Sequence, residues 1–474
     1  MTAVVDRFLE PHFFFTAPWE PVVVRRGDAL GLRALADEFA EAVAPGLSNR
    51  VNDGRWVTIL AWCLVRSHEV FLADRGRSVA TAAEQRKRYA WLRPLELMWI
   101  ARTIALAGED ASNRSMSGQR SVRRWYKEEQ QSTDCFGMSQ VQFRAYRQTG
   151  MYGGYRVAFR VWPGLSLHGD GWTPGPEAFE LAKWLNKQLG KDVLPKGSVN
   201  RGDDNKDRQR SRGPTLGKGD RHDWWLRHWD KFDHEGRSAD ANTLPRRKND
   251  FAKLPEAGLL EPIIFGDSEN DKSGQRRRDI AREIEKSSVK THLEICEHLA
   301  KKFSDNGVIA HLARFSRLAD AGMEAMELIA KSLAKDSSRS SLKEVAETPD
   351  AAQVCEELHA AALAWVNGSE SEPSPAGVTH LEKATIFAHA ITSADPKKCL
   401  KALLHHHEQH GGGLLWFVLR DVQIDPRSIP QNRTAARYRF RLWSLCRLAA
   451  QCGVIHDMPR AFRDDSEESD DDEQ

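Results

Sequence analysis

Apolar residues recur along this chain mainly at the three- and four-residue steps of a helix, and seldom at the two-residue step of a strand. Between Gly27 and about Val43, the residues Leu32, Leu35, Phe39 and Val43 mark one face of an amphipathic helix. Asp53-Gly54 then opens RWVTILAWCLVRSHEVFLA, which is apolar around most of its circumference and is expected at the centre of its domain. EQRKRYAWLRPLELMWIARTIALA follows as a third helix, with Pro94 predicting a kink or a break. Residues 191–275 change character: Gly, Asp, Asn, Lys and Arg dominate, apart from a tryptophan island at Trp224, Trp225 and Trp229. That stretch reads as a polar, basic linker or a large insertion. Helical periodicity returns from Arg276 through RRRDIAREIEKSS, VKTHLEICEHLAKKF, IAHLARFSRLADAGMEAMELIAKSLA and AAQVCEELHAAALAWV. After a flexible stretch, Gly368 to Gly377, further helices run to about Cys452, where Gly453 suits the position just past a helix end.

The exception to this helical monotony lies at residues 136–190. Ser139 is placed to cap a helix through Gln148, and Thr149-Gly150 ends it. YRVAFRVW (residues 155–162) has both periods: it alternates as a strand would, yet Gly164-Leu165 sits where a helix would hand over to a strand, which favours a helix. Gly164 to Leu167 and Trp172-Thr173 flank Gly169-Asp170-Gly171, a tight-turn composition that predicts a β-hairpin over 164–173. Strand is expected there and at most in 155–162. A helix follows from near Pro174, with Phe179, Leu181, Ala182 and Leu185 inward. Helix, turn, helix, hairpin, helix is the winged-helix order, and Gly164-Leu165, the turn, Trp172-Thr173-Pro174 and Leu181-Ala182 resemble the wing of bacterial winged-helix proteins. That resemblance covers about 50 residues and implies a DNA-binding or protein-docking element. In a recognition helix, Arg156 and Arg160 would share a face, with Arg144 and Arg147 on the helix before. Arg120, Arg123, Arg124 and Lys127, a basic face between Ser117 and Gln131, join them as DNA-binding candidates.

The expected fold is therefore mainly α: a helical N-terminal domain (1–135), a winged-helix-like element (136–190), the linker or insertion (191–275), a helical C-terminal domain (276–463) and a tail (464–474). Charge sharpens this picture. The net charge is only +2, but the tail holds eight acids and no base, which leaves a body of +10. A basic body with an acidic tail suits either a polyanion-binding surface or a solubilising tail, and the tail itself is expected to be disordered. No stretch approaches a membrane span, and the first residues lack the pattern of a signal peptide, so a cytoplasmic protein without a membrane partner is expected. The seven cysteines are scattered without a C-x-x-C, as suits reduced, mostly buried thiols.

Catalytic signals are weak. RHDWWLRHWDKFDHE gathers His222, Asp223, His228, Asp230, Asp233, His234 and Glu235, ligands dense enough for a divalent cation and a metal-dependent nuclease. A polar loop around a docking tryptophan patch is the competing reading, with a partner surface or unstacked bases as the contact. His405, His406, His407, Glu408 and His410 do not match H-E-x-x-H; His406 and His410 fall one turn apart, and histidines before Gly411 would complement the negative end of a helix. Arg433, Arg437 and Arg441 form a basic stripe on a helix read from Arg433 to Cys452, opposite Ala435, Leu442 and Cys446. Phosphate-cradling and nucleophile-elbow motifs are missing, and no cofactor is expected. DGRWVTILAWCLVR and YAWLRPLELMWIA, joined to a winged-helix element and a helical C-terminal part, resemble uncharacterised proteins of bacterial phage-defence operons. The resemblance implies a non-enzymatic subunit that associates with DNA and with other subunits of its operon. A kleisin-like subunit of an SMC-type complex is a related alternative.

Overall fold

The computed structural model describes residues 28–48, 50–75, 150–189, 243–267, 273–335, 340–371, 378–412, 415–429 and 438–462, with residues 92, 95, 96, 99, 100, 103, 104 and 106–116 between. The fold is mainly helical with a small three-stranded antiparallel sheet, as the apolar periodicity requires. The chain divides into two compact units, each assembled from segments distant in sequence. One comprises Gly46–Arg278 and Ser444–Asp457; the other comprises Val23–Pro45, Asp279–Trp443 and Met458–Gln474. Among the described residues no helix is long and apolar enough to cross a membrane.

The first unit is built on α2 (Gly54–Arg75), with α1 (Arg33–Val43) belonging to the other. Trp56, Val57, Ile59, Leu60, Ala61, Trp62, Cys63, Leu64 and Val65 are all buried, so this stretch of the helix is covered on every side, as its uniform apolarity predicts. Against it pack α3 (Met151–Val161) and α4 (Pro176–Leu189), and α4 also meets α5 (Ala257–Phe265). The end of the stretch read as linker belongs to this core: Leu254, Leu260, Ile263 and Ile264 are buried. The division between the units falls within α6 (Ser273–Lys286). A polar network replaces apolar contact at the start of α2. Arg55 and Glu256 form a fully buried ion pair of 2.7 Å, and Thr58 donates to the same carboxylate. Asp53 accepts from the backbone N–H groups of Arg55 (3.0 Å) and Arg246 (2.9 Å). The N–H of Gly54 donates to the Gln451 side chain on α13 (Leu442–Cys452). Burial pushes the Glu256 carboxyl up and the Arg55 guanidinium down, each opposing the charge that the other stabilises.

The second unit packs α7 (His292–Lys302) and α10 (Ala351–Ser371) on the long α8 (Gly307–Lys335), followed by α9 (Leu342–Ala346), α11 (Leu381–Ala390) and α12 (Pro396–His410). Thr291 and Ser341 close capping boxes with Glu294 and Glu344. An aromatic cluster of Phe39, Phe315, Trp365, Tyr438 and Phe440 joins α1, α8 and α10. The sheet lies here, in the order β1 (Ser340–Ser341), β3 (Gln423–Pro426), β2 (Phe417–Arg420). The sequence places strand at 164–173, and this position corrects that expectation. Four-residue strands carry too few alternations to stand out beside long helices.

Two helix starts also differ from the expectation. The first helix begins at Arg33, not Gly27, because the Asp28 carboxylate takes the N–H groups of Leu32 (3.1 Å) and Arg33 (2.9 Å). Gly31, at φ +69°, passes so close to the chain at His410 that a Cβ would lie 2.4 Å from its carbonyl oxygen. The helix read from Arg433 begins only at Leu442, since Phe440 and Arg441 both have positive φ. Arg441 therefore belongs to no stripe, and its guanidinium pairs with Glu41 at 2.7 Å. Arg433, Arg437 and Ala435 lie outside the described residues.

Candidate interaction surface

One face of the first unit is built by α3, the loop after it and α4. The chain of 155–161 resolves as helix, with Trp162 as its extended C-cap, because Tyr155, Ala158, Phe159 and Trp162 are buried at helical spacing. The helix starts without a side-chain cap of its own. Instead, the buried carboxylate of Glu96 accepts the N–H groups of Met151 (2.6 Å) and Tyr152 (3.1 Å), a negative charge placed at the positive end of the helix. Tyr155 anchors the middle: its hydroxyl donates to the Asp53 carbonyl and accepts from the Asp53 N–H, at 3.2 and 3.0 Å. Burial, reinforced by the Asp53 charge, pushes that phenol upward, so it stays protonated. These contacts leave Gly153, Val157, Arg160 and Val161 on the exposed side of the helix.

The loop corrects the hairpin expectation. Only one bridge, Ser166 to Pro174, takes the place of two strands, with Leu167 N–H bonded to the Thr173 carbonyl at 2.8 Å. Side chains hold the rest. Ser166 donates its hydroxyl to the Phe159 carbonyl (2.6 Å), and Asp170 accepts from the Trp172 and Thr173 N–H groups and the Thr173 hydroxyl at 2.6–2.8 Å. Such local bonds compete with a ladder and win in a loop this short. Leu167–Gly169 forms a single tight turn in which His168 adopts φ 55°.

The structure brings Arg156 and Arg160 to this loop and gives them different roles. Arg156 is half-buried, its guanidinium 4.8 Å from the centre of the Trp172 ring. Tyr152 packs on the same tryptophan, 5.6 Å away. Arg160 is exposed and reaches the Gly169 carbonyl at 3.4 Å, so a cation stands beside the turn that exposes Leu167 and His168. On α4, Ala178, Leu181, Ala182 and Leu185 face inward, but Phe179, expected with them, is 42% exposed. It lies two positions from Leu181, a spacing that puts residues on opposite sides of a helix.

Arg144, Arg147, Arg120, Arg123, Arg124 and Lys127 lie outside the described residues, as do the residue 139–148 helix, the tail and the 222–235 cluster with His222, His228, Asp230, Asp233 and His234. The histidines of α12 are described. The rings of His406 and His410 do meet, at 4.6 Å. His406 and His407 are buried, however, and reach the Leu30 and Ala29 carbonyls at 2.9 and 2.7 Å. Nε2 of His407 also accepts the Trp416 N–H, which places its proton on Nδ1. Burial pushes His406 down to about 4 and lowers His407 as well, so both are neutral at pH 7 and act by hydrogen bonding, not as cations at a helix end. Among the described residues no group of three His, Cys, Asp or Glu is arranged to hold a metal. No family model, curated protein or solved structure matches the chain.

Proposed function

We propose that the chain is a non-enzymatic, DNA-associated adaptor in a bacterial multi-protein complex, with α3 and its loop as a winged-helix-like contact element. The observation that carries this reading is Arg160, exposed on α3 beside a turn that side-chain hydrogen bonds hold in one shape. A cation fixed in position by its scaffold loses little freedom on meeting a phosphate. The body charge of +10 that remains when the tail is set aside supports an electrostatic attraction of the same sign. Resemblance to proteins of phage-defence operons supports the subunit role and a cytoplasmic setting. A second reading, that this face meets a protein, is favoured by the exposure of Val157, Val161 and Leu167 around the arginine.

Titration of a labelled 20-base-pair duplex (about two helical turns) separates the two. Binding by the parent, weakened several-fold in Arg160→Ala but not in Lys343→Ala, an exposed lysine of the other unit, supports DNA. Equal binding by parent and Arg160→Ala assigns the face to protein.

A further inference from the structure

Cys355, in the first turns of α10, and Cys399, near the start of α12, are both buried where these helices pack together. Each thiol lies against the backbone of the other helix. Cys399 Sγ lies 4.0 Å from the Cys355 carbonyl oxygen, and Cys355 Sγ lies 3.9 Å from that of Pro396. We propose that Cys355 and Cys399 are a redox-modification site that closes to a reversible disulfide between α10 and α12. With each sulfur within about 4 Å of the other helix's backbone, the two residues are close enough for side-chain rotation to carry the thiols toward the S–S distance of about 2.05 Å.

The pair also differs electronically from the other buried cysteines. Burial pushes the Cys63, Cys296 and Cys452 thiols up, toward the inert protonated form. Cys355 moves the other way through its interaction with the neighbouring Cys399 thiol, and Cys399 moves up in return. The oxidant we assign is hydrogen peroxide, small enough to reach a packed interface. The Cys355 thiolate attacks one peroxide oxygen, forming a sulfenic acid and releasing hydroxide, which takes up the proton Cys355 gave up and becomes water. Cys399 sulfur then attacks the sulfenic sulfur, its proton joins the departing hydroxyl, and a second water leaves. Two thiols lose two electrons in total, and the peroxide gains them. The bond encloses the whole of α11 in a covalent loop, which restricts the unfolded chain more than the folded one.

The test uses the reduced, full-length folded protein. It is exposed to rising peroxide until methionine sulfoxide appears, then denatured, alkylated, digested and analysed by mass spectrometry without reduction. The expected product is a linked peptide pair containing Cys355 and Cys399, cleaved by dithiothreitol and absent from Cys399→Ala. The midpoint of thermal unfolding should rise by about 4 °C or more in the parent and stay unchanged in that variant. If methionines oxidise while Cys355 and Cys399 are both recovered alkylated, or if Cys355 pairs elsewhere or goes on to sulfinic acid, the proposal is overturned. Cys355→Ser, tested alongside, must also abolish the linked pair.

Discussion

The guanidinium of Arg156 lies over Trp172, 4.8 Å from the ring centre, whereas Arg160, one helical turn on, stays in solvent. Two arginines that look equivalent in the sequence thus hold different positions. The first is part of the packing that fixes the loop, and the second is available to a partner.

Stability measurements should separate them. Trp172→Ala removes a buried aromatic that Tyr152 and Arg156 both cover, and should cost about 3–5 kcal/mol in urea unfolding. Arg156→Ala should cost about 1 kcal/mol through the lost cation–π contact. Arg160→Ala should change stability by less than about 0.5 kcal/mol, as exposed substitutions do. An Arg160→Ala variant as destabilised as the Trp172 variant would contradict this division of roles.

The buried pair Arg55–Glu256 gives a second prediction. Glu256→Ala leaves an uncompensated buried guanidinium and should cost about 3–5 kcal/mol. The double variant Arg55→Met, Glu256→Leu removes both charges and should recover most of that loss. Equilibrium unfolding of the three proteins in denaturant checks it, and equal losses in the single and double variants would show that packing, not charge, dominates.

Acid sensitivity follows from Glu38 in α1, whose carboxylate accepts the N–H groups of Thr379 and His380, the Thr379 hydroxyl and His380 Nδ1. Partial burial pushes this carboxyl up, but those hydrogen bonds outweigh it and hold it at about 2, below the usual 4.5. A carboxyl lowered in the folded state stabilises above its unfolded value and loses that contribution as pH falls toward the folded one. Glu38→Ala should therefore cost about 2 kcal/mol at pH 7. The gap to the parent should narrow as pH drops from about 4.5 toward 2. A gap independent of pH in that window would assign the loss to packing.

The sequence made the helices legible where local signals and packing agree. Asp53-Gly54 opens α2 as expected, and the unbroken run of buried positions from Trp56 to Val65, Thr58 among them, follows from its apolar circumference. Features set by particular side-chain bonds or by distant partners were not legible. The hairpin reading failed because Asp170 and Ser166 hold the turn with side chains instead of a ladder. The Arg433–Cys452 helix reading failed because Phe440 and Arg441 take positive φ, with Phe440 packed on His292 and Phe315 and Arg441 paired with Glu41. His406 and His407 read as complements to the negative end of a helix because the partners that bury them, Leu30 and Ala29, lie more than 370 positions away. The pairing of Cys355 with Cys399 had no sequence signal, being made by helix packing across 44 positions. Of the candidate site, the placement of Arg156 and Arg160 on one helix was legible; their division by Trp172 was not.

The salt dependence of duplex binding tests the central claim most directly. Each phosphate neutralised on duplex DNA contributes about −0.9 to the slope of log affinity against log salt. If α3 meets DNA, Arg160→Ala should shallow that slope by about one unit with helical content unchanged. The Arg156→Ala, Arg160→Ala double variant should shallow it by at most about two, since Arg156 is shared with Trp172. Parallel salt plots for the parent and both variants would contradict a DNA-facing α3.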